Sequence, residues 1–467
     1  MVHHKGCWTF AGGHSYLNAY VADYKNPPEV MVQLAVLLPM LDYMDWKSEA
    51  SHPLVEELKS GLEGFYEADM KTIVRWLPAV EENLDHSEEQ KTARVMDAWY
   101  LHHPLMNLAR LAERGDKLAK KLLLNSIDYT IRVAHHFKYQ WPVFYQMDTL
   151  NIIKAETAEG KGGEKDVPGT YADLMLSLWK ITSNDRFFDE AKKAAKKLEG
   201  LSFEVFYQAN NTAFSAGAML RLYKETGNDY YLKLSCVCLA ALFDNVQLWE
   251  CDYGFAKNYS TFFGIYPLKD APYTAAYEEQ EVYAALHDYL LQAEDVEILP
   301  SIKLLIAEFM RHMVGRVAYY YPPMLNEKMI VKKSKTGEID QKLWIALEDI
   351  HDGWEQSGEV GQEVYGAGVA FGIIPKQYHK VKEEDFIIFC DYPTSAFRTR
   401  GQSIFFETKG DDQLKCKVII LLNGTKKKNT FQVYLDGNKE HITPEKENST
   451  LIEYEVSGNS KIKISWK

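Results

Sequence analysis

Residues 170–188 read TYADLMLSLWKITSNDRFF, and this stretch decides the fold class. Its apolar residues recur at helical spacing and form one stripe, made of Leu174, Met175, Leu178 and Ile181. The stripe stops at residues 182–185, a run of the turn-forming residues Thr, Ser, Asn and Asp, and an apolar pattern restarts at Phe187. The stretch therefore predicts two antiparallel helices joined by a tight turn. Thr170, with Asp173 three residues later, has the spacing of a capping box and predicts the start of the first helix.

The same pattern returns 44 residues further on, where residues 218–232 read AMLRLYKETGNDYYL. Two looser versions occupy residues 105–131 and 282–313. Repeated hairpins with the same turn chemistry indicate an internal repeat. The spacing between copies is uneven and the intervening loops are long, unlike the fixed period of tetratricopeptide or HEAT arrays. A closed ring of helical hairpins, with elaborated loops on one rim, fits better.

After about residue 378 the periodicity becomes that of β-strands. Six short strands are predicted, over residues 386–389, 403–406, 418–422, 431–435, 451–455 and 461–465. Turn signals such as Asn423-Gly424 and Asp436-Gly437 separate them. The sequence therefore predicts an α-helical ring over residues 1–378 and a small antiparallel β-sandwich over residues 379–467.

Composition excludes several classes of protein. Of the 467 residues, 46% are hydrophobic and 25% are charged, as in ordinary globular proteins. The net charge of -13 argues against a nucleic-acid partner, since phosphate binding depends on clustered Lys and Arg. No apolar run is long enough to span a bilayer. The N-terminus lacks a signal-peptide pattern, so we expect a cytoplasmic protein, or a secreted one whose signal lies outside this sequence.

No metal or cofactor is predicted. The six cysteines are scattered along the chain, which is typical of reduced thiols. The paired histidines His102-His103 and His135-His136 have no metal-ligand spacing to an acid or a cysteine.

The hairpins at residues 174–185 and 218–229, with the Gly-rich acidic loops between hairpins, resemble the (α/α)6-toroid class of carbohydrate-active enzymes. In that class paired helices form a ring, and a β-sandwich often follows. The resemblance implies a mainly α fold and a carbohydrate substrate. The resemblance does not extend to the motif of a single family, so it assigns no catalytic residue in this sequence.

Two loop segments that precede predicted helices carry candidate site residues. Residues 161–169 bring Glu164 and Asp166 to a helix start, where a carboxylate can either serve a site or simply interact with the helix dipole. Residues 206–212 contain Tyr207, Asn210 and Asn211. These amides suit sugar hydroxyls or a uronate carboxylate, but an asparagine here can equally supply a turn or a cap.

Two later segments are also candidates. Residues 273–283 place Glu278, Glu279 and Glu281 in a first helical turn, where acids are routine, after an aromatic loop whose Tyr259 could stack on sugars. The stretch richest in acids, aromatics and glycines covers residues 348–368 and contributes Glu348, His351, Asp352, Trp354, Glu363 and Tyr365.

Three functions remain open. The first is glycoside hydrolysis by a carboxylate pair drawn from Asp166, Glu279, Glu348 and Asp352. The second is a polysaccharide lyase or uronate epimerase, in which Tyr207 or a histidine is the base and Asn210 or Asn211 neutralises the carboxylate. The third is a non-catalytic scaffold that recognises glycans or proteins. The four candidate segments are expected to converge on one rim of the ring. The sequence does not indicate an oligomeric state.

Overall fold

The structure is a computed structural model that describes residues 2–10, 13–21, 26–249, 262–269, 271, 273–330, 332–334, 337–347, 349–351, 362–423 and 430–467. Eleven α-helices lie in this part of the chain: α1 (Val30–Lys47), α2 (Pro53–Gly61), α3 (Ala98–Glu113), α4 (Lys117–His136), α5 (Val167–Thr182), α6 (Asp185–Ala195), α7 (Ala209–Thr226), α8 (Asp229–Asp244), α9 (Ala276–Gln292), α10 (Pro300–Arg316) and α11 (Val369–Gln377).

The odd-numbered helices form a closed inner ring. Each of α1, α3, α5, α7 and α9 packs against the next odd-numbered helix, and α11 packs back onto α1. The even-numbered helices α2, α4, α6, α8 and α10 each pack against the inner helix that precedes them. The ring predicted from the sequence is therefore confirmed, and its core is one continuous apolar cluster.

The two hairpins that decided the fold have matching turns. Ser183 and Gly227 end α5 and α7 in the left-handed conformation, with φ of 55° and 65°. The next residue in each turn, Asn184 or Asn228, caps the return helix by accepting a hydrogen bond from a backbone N–H two residues on. The repeated sequence thus produces the same turn twice.

The predicted start of α5 at Thr170 is wrong, because this helix begins at Val167. Pro168 lies in the first turn, where its missing N–H costs nothing. Thr170 is buried inside the helix, and Asp173 forms an ion pair with Arg221 instead of closing a capping box.

Helices α5 and α7 approach each other most closely at Gly169. A Cβ built there would overlap the Ser215 side chain and would lie 2.9 Å from the Ser215 Cα. We therefore expect Gly169→Ala to lower the free energy of unfolding by about 3 kcal/mol, the upper part of the usual range for overpacking. Denaturant unfolding measures this change.

Gly217, in the middle of α7, is the matched control. A Cβ at this position would meet no atom within 4 Å. Gly217→Ala is expected to stabilise the protein by about 0.5–1 kcal/mol through helix propensity. Equal effects of the two variants would contradict the close packing of α5 on α7.

Short strands lie before and between the helices of the ring, and all their described pairings are antiparallel. They are β1 (Val2–His4), β2 (Cys7–Thr9), β3 (Ser15–Leu17), β4 (Tyr66–Glu67), β5 (Thr72–Ile73), β6 (Val95–Asp97), β7 (Phe144–Gln146), β8 (Ile152–Lys154), β9 (Val246–Trp249), β10 (Phe262–Ile265), β11 (Tyr273–Ala275), β12 (Lys333–Ser334), β13 (Gly337–Glu338) and β14 (Asp349–His351).

The residues after α11 form two antiparallel sheets around a second apolar core. Their strands are β15 (Tyr378–Lys380), β16 (Phe386–Cys390), β17 (Thr394–Thr399), β18 (Ser403–Thr408), β19 (Lys415–Leu422), β20 (Phe431–Leu435), β21 (Lys446–Glu447), β22 (Leu451–Ser457) and β23 (Lys461–Trp466). The sheet orders are β15-β16-β19-β22-β21 and β17-β18-β23-β20. All six predicted strands are present, and the sequence missed β15, β17 and β21.

The sandwich packs on the ring through α10. Ala307 of α10 belongs to the apolar core of the sandwich. Arg311 of the same helix forms an ion pair with Asp391, with 3.3 Å between Nε and Oδ2. Among the helices of the described residues, none combines the length and the apolar character that crossing a membrane requires.

Candidate active site

The N-terminal ends of the inner helices meet at one end of the ring. Glu29, which precedes α1, accepts a hydrogen bond at 3.2 Å from the hydroxyl of Tyr365, which precedes α11. At the start of α7, Gln208 donates to Glu278 of α9, with 3.4 Å between Nε2 and Oε1. Helix N-termini favour negative charge, so this end of the ring is a natural place for carboxylates.

A cavity of about 290 Å³ opens at this end. Its lining is rich in carboxylates and aromatic rings: Ala19, Tyr20, Asn26, Glu29, Arg75, Trp76, Glu88, Gln90, Lys91, Trp99, Tyr100, Tyr273, Ala275, Tyr277, Glu278, Glu363 and Tyr365. Ligand sites are typically concave, aromatic-lined and furnished with a few polar groups, and this cavity has that composition.

Glu29 is a cavity carboxylate that accepts several hydrogen bonds. Its Oε2 accepts hydrogen bonds from the hydroxyls of Tyr100 and Tyr365 and from Arg75 Nε at 3.2 Å. Burial raises the pKa of Glu29, and the guanidinium of Arg75 and the hydroxyl of Tyr365 oppose that rise. Three donors on one oxygen hold this side chain in a fixed position and oppose the effect of burial on its pKa.

Arg75 links two carboxylates. Besides Glu29, it contacts Asp97, with 3.4 Å between Nη1 and Oδ2, and its guanidinium lies 3.7 Å from the ring centroid of Tyr100. Asp97 also caps α3 by accepting from the Tyr100 backbone N–H at 2.6 Å. Burial raises the pKa of Asp97 to about 6, Arg75 opposes this rise, and Glu29 adds to it.

Glu278 is a half-buried residue whose carboxyl has a strongly shifted pKa. It lies in the first turn of α9 and lines the cavity. Burial of the carboxyl raises the pKa of Glu278 to about 7, and the hydrogen bond from Gln208 opposes the rise. A carboxyl with this pKa is protonated in a useful fraction at neutral pH, as a general acid requires.

Aromatic rings form one wall of the cavity. Ring centroids of Trp99 and Tyr277 lie 6.0 Å apart, and those of Tyr277 and Tyr365 lie 5.4 Å apart. The indole Nε1 of Trp99 is buried and has no hydrogen-bond acceptor among the described residues. A ligand hydroxyl could satisfy this donor, because Trp carries one N–H and no acceptor.

Asp166, predicted as a catalytic candidate, is fully buried and its Oδ2 is already occupied. That oxygen accepts from the backbone N–H groups of Tyr207 and Gln208, at 3.1 and 2.8 Å, and from the Thr212 hydroxyl at 2.9 Å. The carboxylate therefore satisfies donors at the N-terminal end of α7, which is a structural role.

Glu279, a second catalytic candidate, points away from the cavity. It is 2% exposed and forms an ion pair with Arg316, which is 1% exposed. Its Oε2 accepts from the Tyr320 hydroxyl at 2.8 Å. These contacts tie α9 to α10, and the side chain facing the cavity is that of the preceding residue, Glu278.

Glu164 and Tyr207 lie close to Asp97 and Asp166 but not on the cavity wall. Burial raises the pKa of Glu164 well above its usual range, and Asp97 and Asp166 raise it further. Burial, with Glu164 and Asp166, also raises the pKa of Tyr207. A tyrosine that acts as a base needs a lowered pKa, so these surroundings weigh against Tyr207 in that role.

Asn210 and Asn211 are fully buried in the first turn of α7. The Oδ1 of Asn211 lies 2.7 Å from Nε2 of His103. Burial lowers the pKa of His103 to about 3, so this imidazole is neutral. Both asparagines belong to the interior of the ring, away from the cavity surface.

Of the residues predicted to catalyse or bind, the structure places Glu363 and Tyr365 on the cavity wall. Glu278, which the sequence placed beside Glu279 but not in the catalytic pair, also lies there. Glu348, Asp352, Trp354 and Tyr259 lie outside the described residues. Of His351, the backbone position is described, in β14 opposite Tyr273 of β11. Sequence reasoning missed Glu29, Arg75, Asp97 and Tyr100.

Comparison with solved structures identifies the fold. The chain is similar to a sugar epimerase from a ruminal bacterium, with 9% identity and a TM-score of 0.51 over 79% of this chain and 93% of the epimerase. It is also similar to a family 76 glycoside hydrolase (mannosidase) from Bacteroides thetaiotaomicron, with 11% identity and a TM-score of 0.49 over 79% and 93% of the two chains. No protein-family model matches the sequence, and neither does any curated protein. The likeness to the epimerase confirms the (α/α)6-toroid fold expected from the sequence.

Proposed function

We propose that this protein is a carbohydrate-active enzyme that hydrolyses a glycosidic bond in the cavity at the N-terminal ends of the inner helices. The observation that carries the proposal is the contrast between two carboxyls in one cavity. Burial raises the pKa of Glu278 to about 7. Glu29, in contrast, accepts hydrogen bonds from the guanidinium of Arg75 and from two tyrosine hydroxyls. Burial raises the pKa of both carboxyls, but the guanidinium of Arg75 opposes the rise at Glu29, and acid–base hydrolysis of a glycoside relies on two carboxyls whose surroundings differ in this way.

In this proposal Glu278 donates a proton to the glycosidic oxygen as the leaving group departs. Glu29, which must be ionised for this step and lies beside Arg75, acts at the opposite side of the sugar, either by attacking the anomeric carbon or by deprotonating water. The anomeric configuration of the first-formed product distinguishes these two possibilities. The aromatic wall holds the sugar ring, and the Trp99 indole donates to one of its hydroxyls.

The alternatives find less support. A lyase or uronate epimerase of the kind outlined above would use Tyr207 or a histidine as its base, and burial and two nearby acids raise the pKa of the Tyr207 hydroxyl. A non-catalytic scaffold has no need of a carboxyl whose pKa is raised to about 7 within a polar cavity. The fold likeness to a sugar epimerase supports a carbohydrate substrate.

The pH dependence of kcat/KM tests the assignment of the acid. Because Glu278 has a raised pKa and must be protonated, activity is expected below about pH 7 and to fall about tenfold per pH unit above it. On the acidic side, activity is expected to fall as Glu29 becomes protonated. Activity that keeps rising from pH 6 to 9 would contradict the role of Glu278.

A further inference from the structure

The charges that line the cavity are unbalanced. The described lining contains four carboxylates, Glu29, Glu88, Glu278 and Glu363, and two cations, Arg75 and Lys91. Asp97 adds a further carboxyl directly behind Arg75. Even with Glu278 protonated, the acids outnumber the cations.

Both cations are already paired with protein carboxylates. Arg75 lies between Glu29 and Asp97, at 3.2 and 3.4 Å. Lys91 is 8% exposed and lies 3.5 Å from a carboxylate oxygen of Glu88. An anionic group on a substrate would therefore have to compete with these carboxylates for its counter-charge.

At the N-termini of α1, α3, α7 and α9, protein carboxylates occupy the places where a ligand anion could bind. Glu29 precedes α1 and Asp97 caps α3. Asp166 accepts from the backbone at the start of α7, and Glu278 and Glu279 occupy the first turn of α9. Protein carboxylates thus already occupy positions at which a helix dipole could favour a ligand anion.

We propose that the sugar unit bound in this cavity is uncharged, so that the substrate is a neutral glycan and not one built from uronate, sulfated or phosphorylated units at the cleavage site. This inference rests on the proposed function. A carboxylate, sulfate or phosphate brought into the cavity would lose its hydration and meet surplus negative charge, and like-charge juxtaposition in a binding site is costly.

Matched substrates test the inference. Each pair has the same linkage and differs only at carbon 6: aryl glucosides against aryl glucuronides, aryl galactosides against aryl galacturonides, and acidic polysaccharides against their carboxyl-reduced forms. For any pair that the enzyme cleaves, the neutral member is expected to have a kcat/KM about 100-fold higher, equivalent to about 2.7 kcal/mol.

A charge reversal at the cavity mouth tests the physical cause. Glu88 is exposed and lines the cavity. Glu88→Lys changes the local charge by two, so at low ionic strength it is expected to lower the ratio of kcat/KM for the neutral substrate to that for the acidic substrate by about tenfold. Glu440→Lys makes the same change of net charge at an exposed position in the sandwich and is expected to leave the preference unchanged.

The outcomes separate this inference from the proposed function. Cleavage of acidic members at rates equal to or above those of their neutral partners would overturn the inference and leave hydrolysis standing. If the wild type prefers neutral substrates and Glu88→Lys leaves that kcat/KM ratio unchanged, repulsion by the cavity carboxylates is not the cause of the preference. Absence of cleavage across both neutral and acidic glycans would overturn the proposed function, and the inference with it.

Discussion

Replacing Glu278 with glutamine is expected to lower kcat on the substrate by about 10³-fold, the contribution typical of a general acid. Glutamine keeps the size and the hydrogen-bonding capacity of the side chain but cannot donate a proton to the departing oxygen. Steady-state kinetics at pH 6, where the wild-type carboxyl is mostly protonated, measures the effect against a pKa of about 7.

The same variant is expected to fold normally. The raised pKa of Glu278 means that the folded state favours the protonated form, so its stabilising contribution is present at low pH and is lost as the pH rises through about 7. Glutamine imitates the protonated form at every pH. Glu278→Gln should therefore be at least as stable as the wild type at pH 8. Wild-type turnover in this variant would remove Glu278 from the mechanism.

Glu279→Gln, one residue further along α9, is expected to have the opposite phenotype. It removes one partner of a buried ion pair and leaves the charge of Arg316 inside the protein, a change that typically costs about 3–5 kcal/mol. We expect the free energy of unfolding to fall by about that amount in chemical denaturation.

Activity provides the control for this second prediction. Below the unfolding transition, the folded fraction of Glu279→Gln should retain kcat within severalfold of the wild type, because the carboxylate faces Arg316 and Tyr320 and not the cavity. The two adjacent substitutions thus separate loss of chemistry from loss of stability. A stable but inactive Glu279→Gln protein would reverse the roles assigned to these two glutamates.

The sequence predicted the fold well because the repeated hairpins carry their own structural signals. The apolar stripe of residues 174–181 and the Asn caps at Asn184 and Asn228 are local features, so they can be recognised without knowing the tertiary structure. The start of α5 was misplaced because a plausible capping box at Thr170 lies inside a helix that begins earlier, at Val167.

The site was harder to predict, because the outcome at each acid depends on long-range contacts. Glu278 and Glu279 are adjacent and chemically identical, so the sequence does not distinguish them. The position of Arg316 in the folded chain decides that Glu279 is the one that forms an ion pair. Glu29 acquires its role through Arg75 and Tyr365, which are remote along the chain. One local signal was available: Glu29 and Asp97 stand immediately before helices, as Asp166 does.

The most direct test of the central claim is mass spectrometry of the products that the purified wild-type protein and its Glu278→Gln variant form from a panel of neutral glycans. Hydrolysis by the carboxyl pair predicts wild-type fragments whose masses sum to that of the substrate plus one water, and almost none from the variant. Fragments that sum to the mass of the substrate alone, products with the mass of the intact substrate, or equal cleavage by both proteins would contradict it.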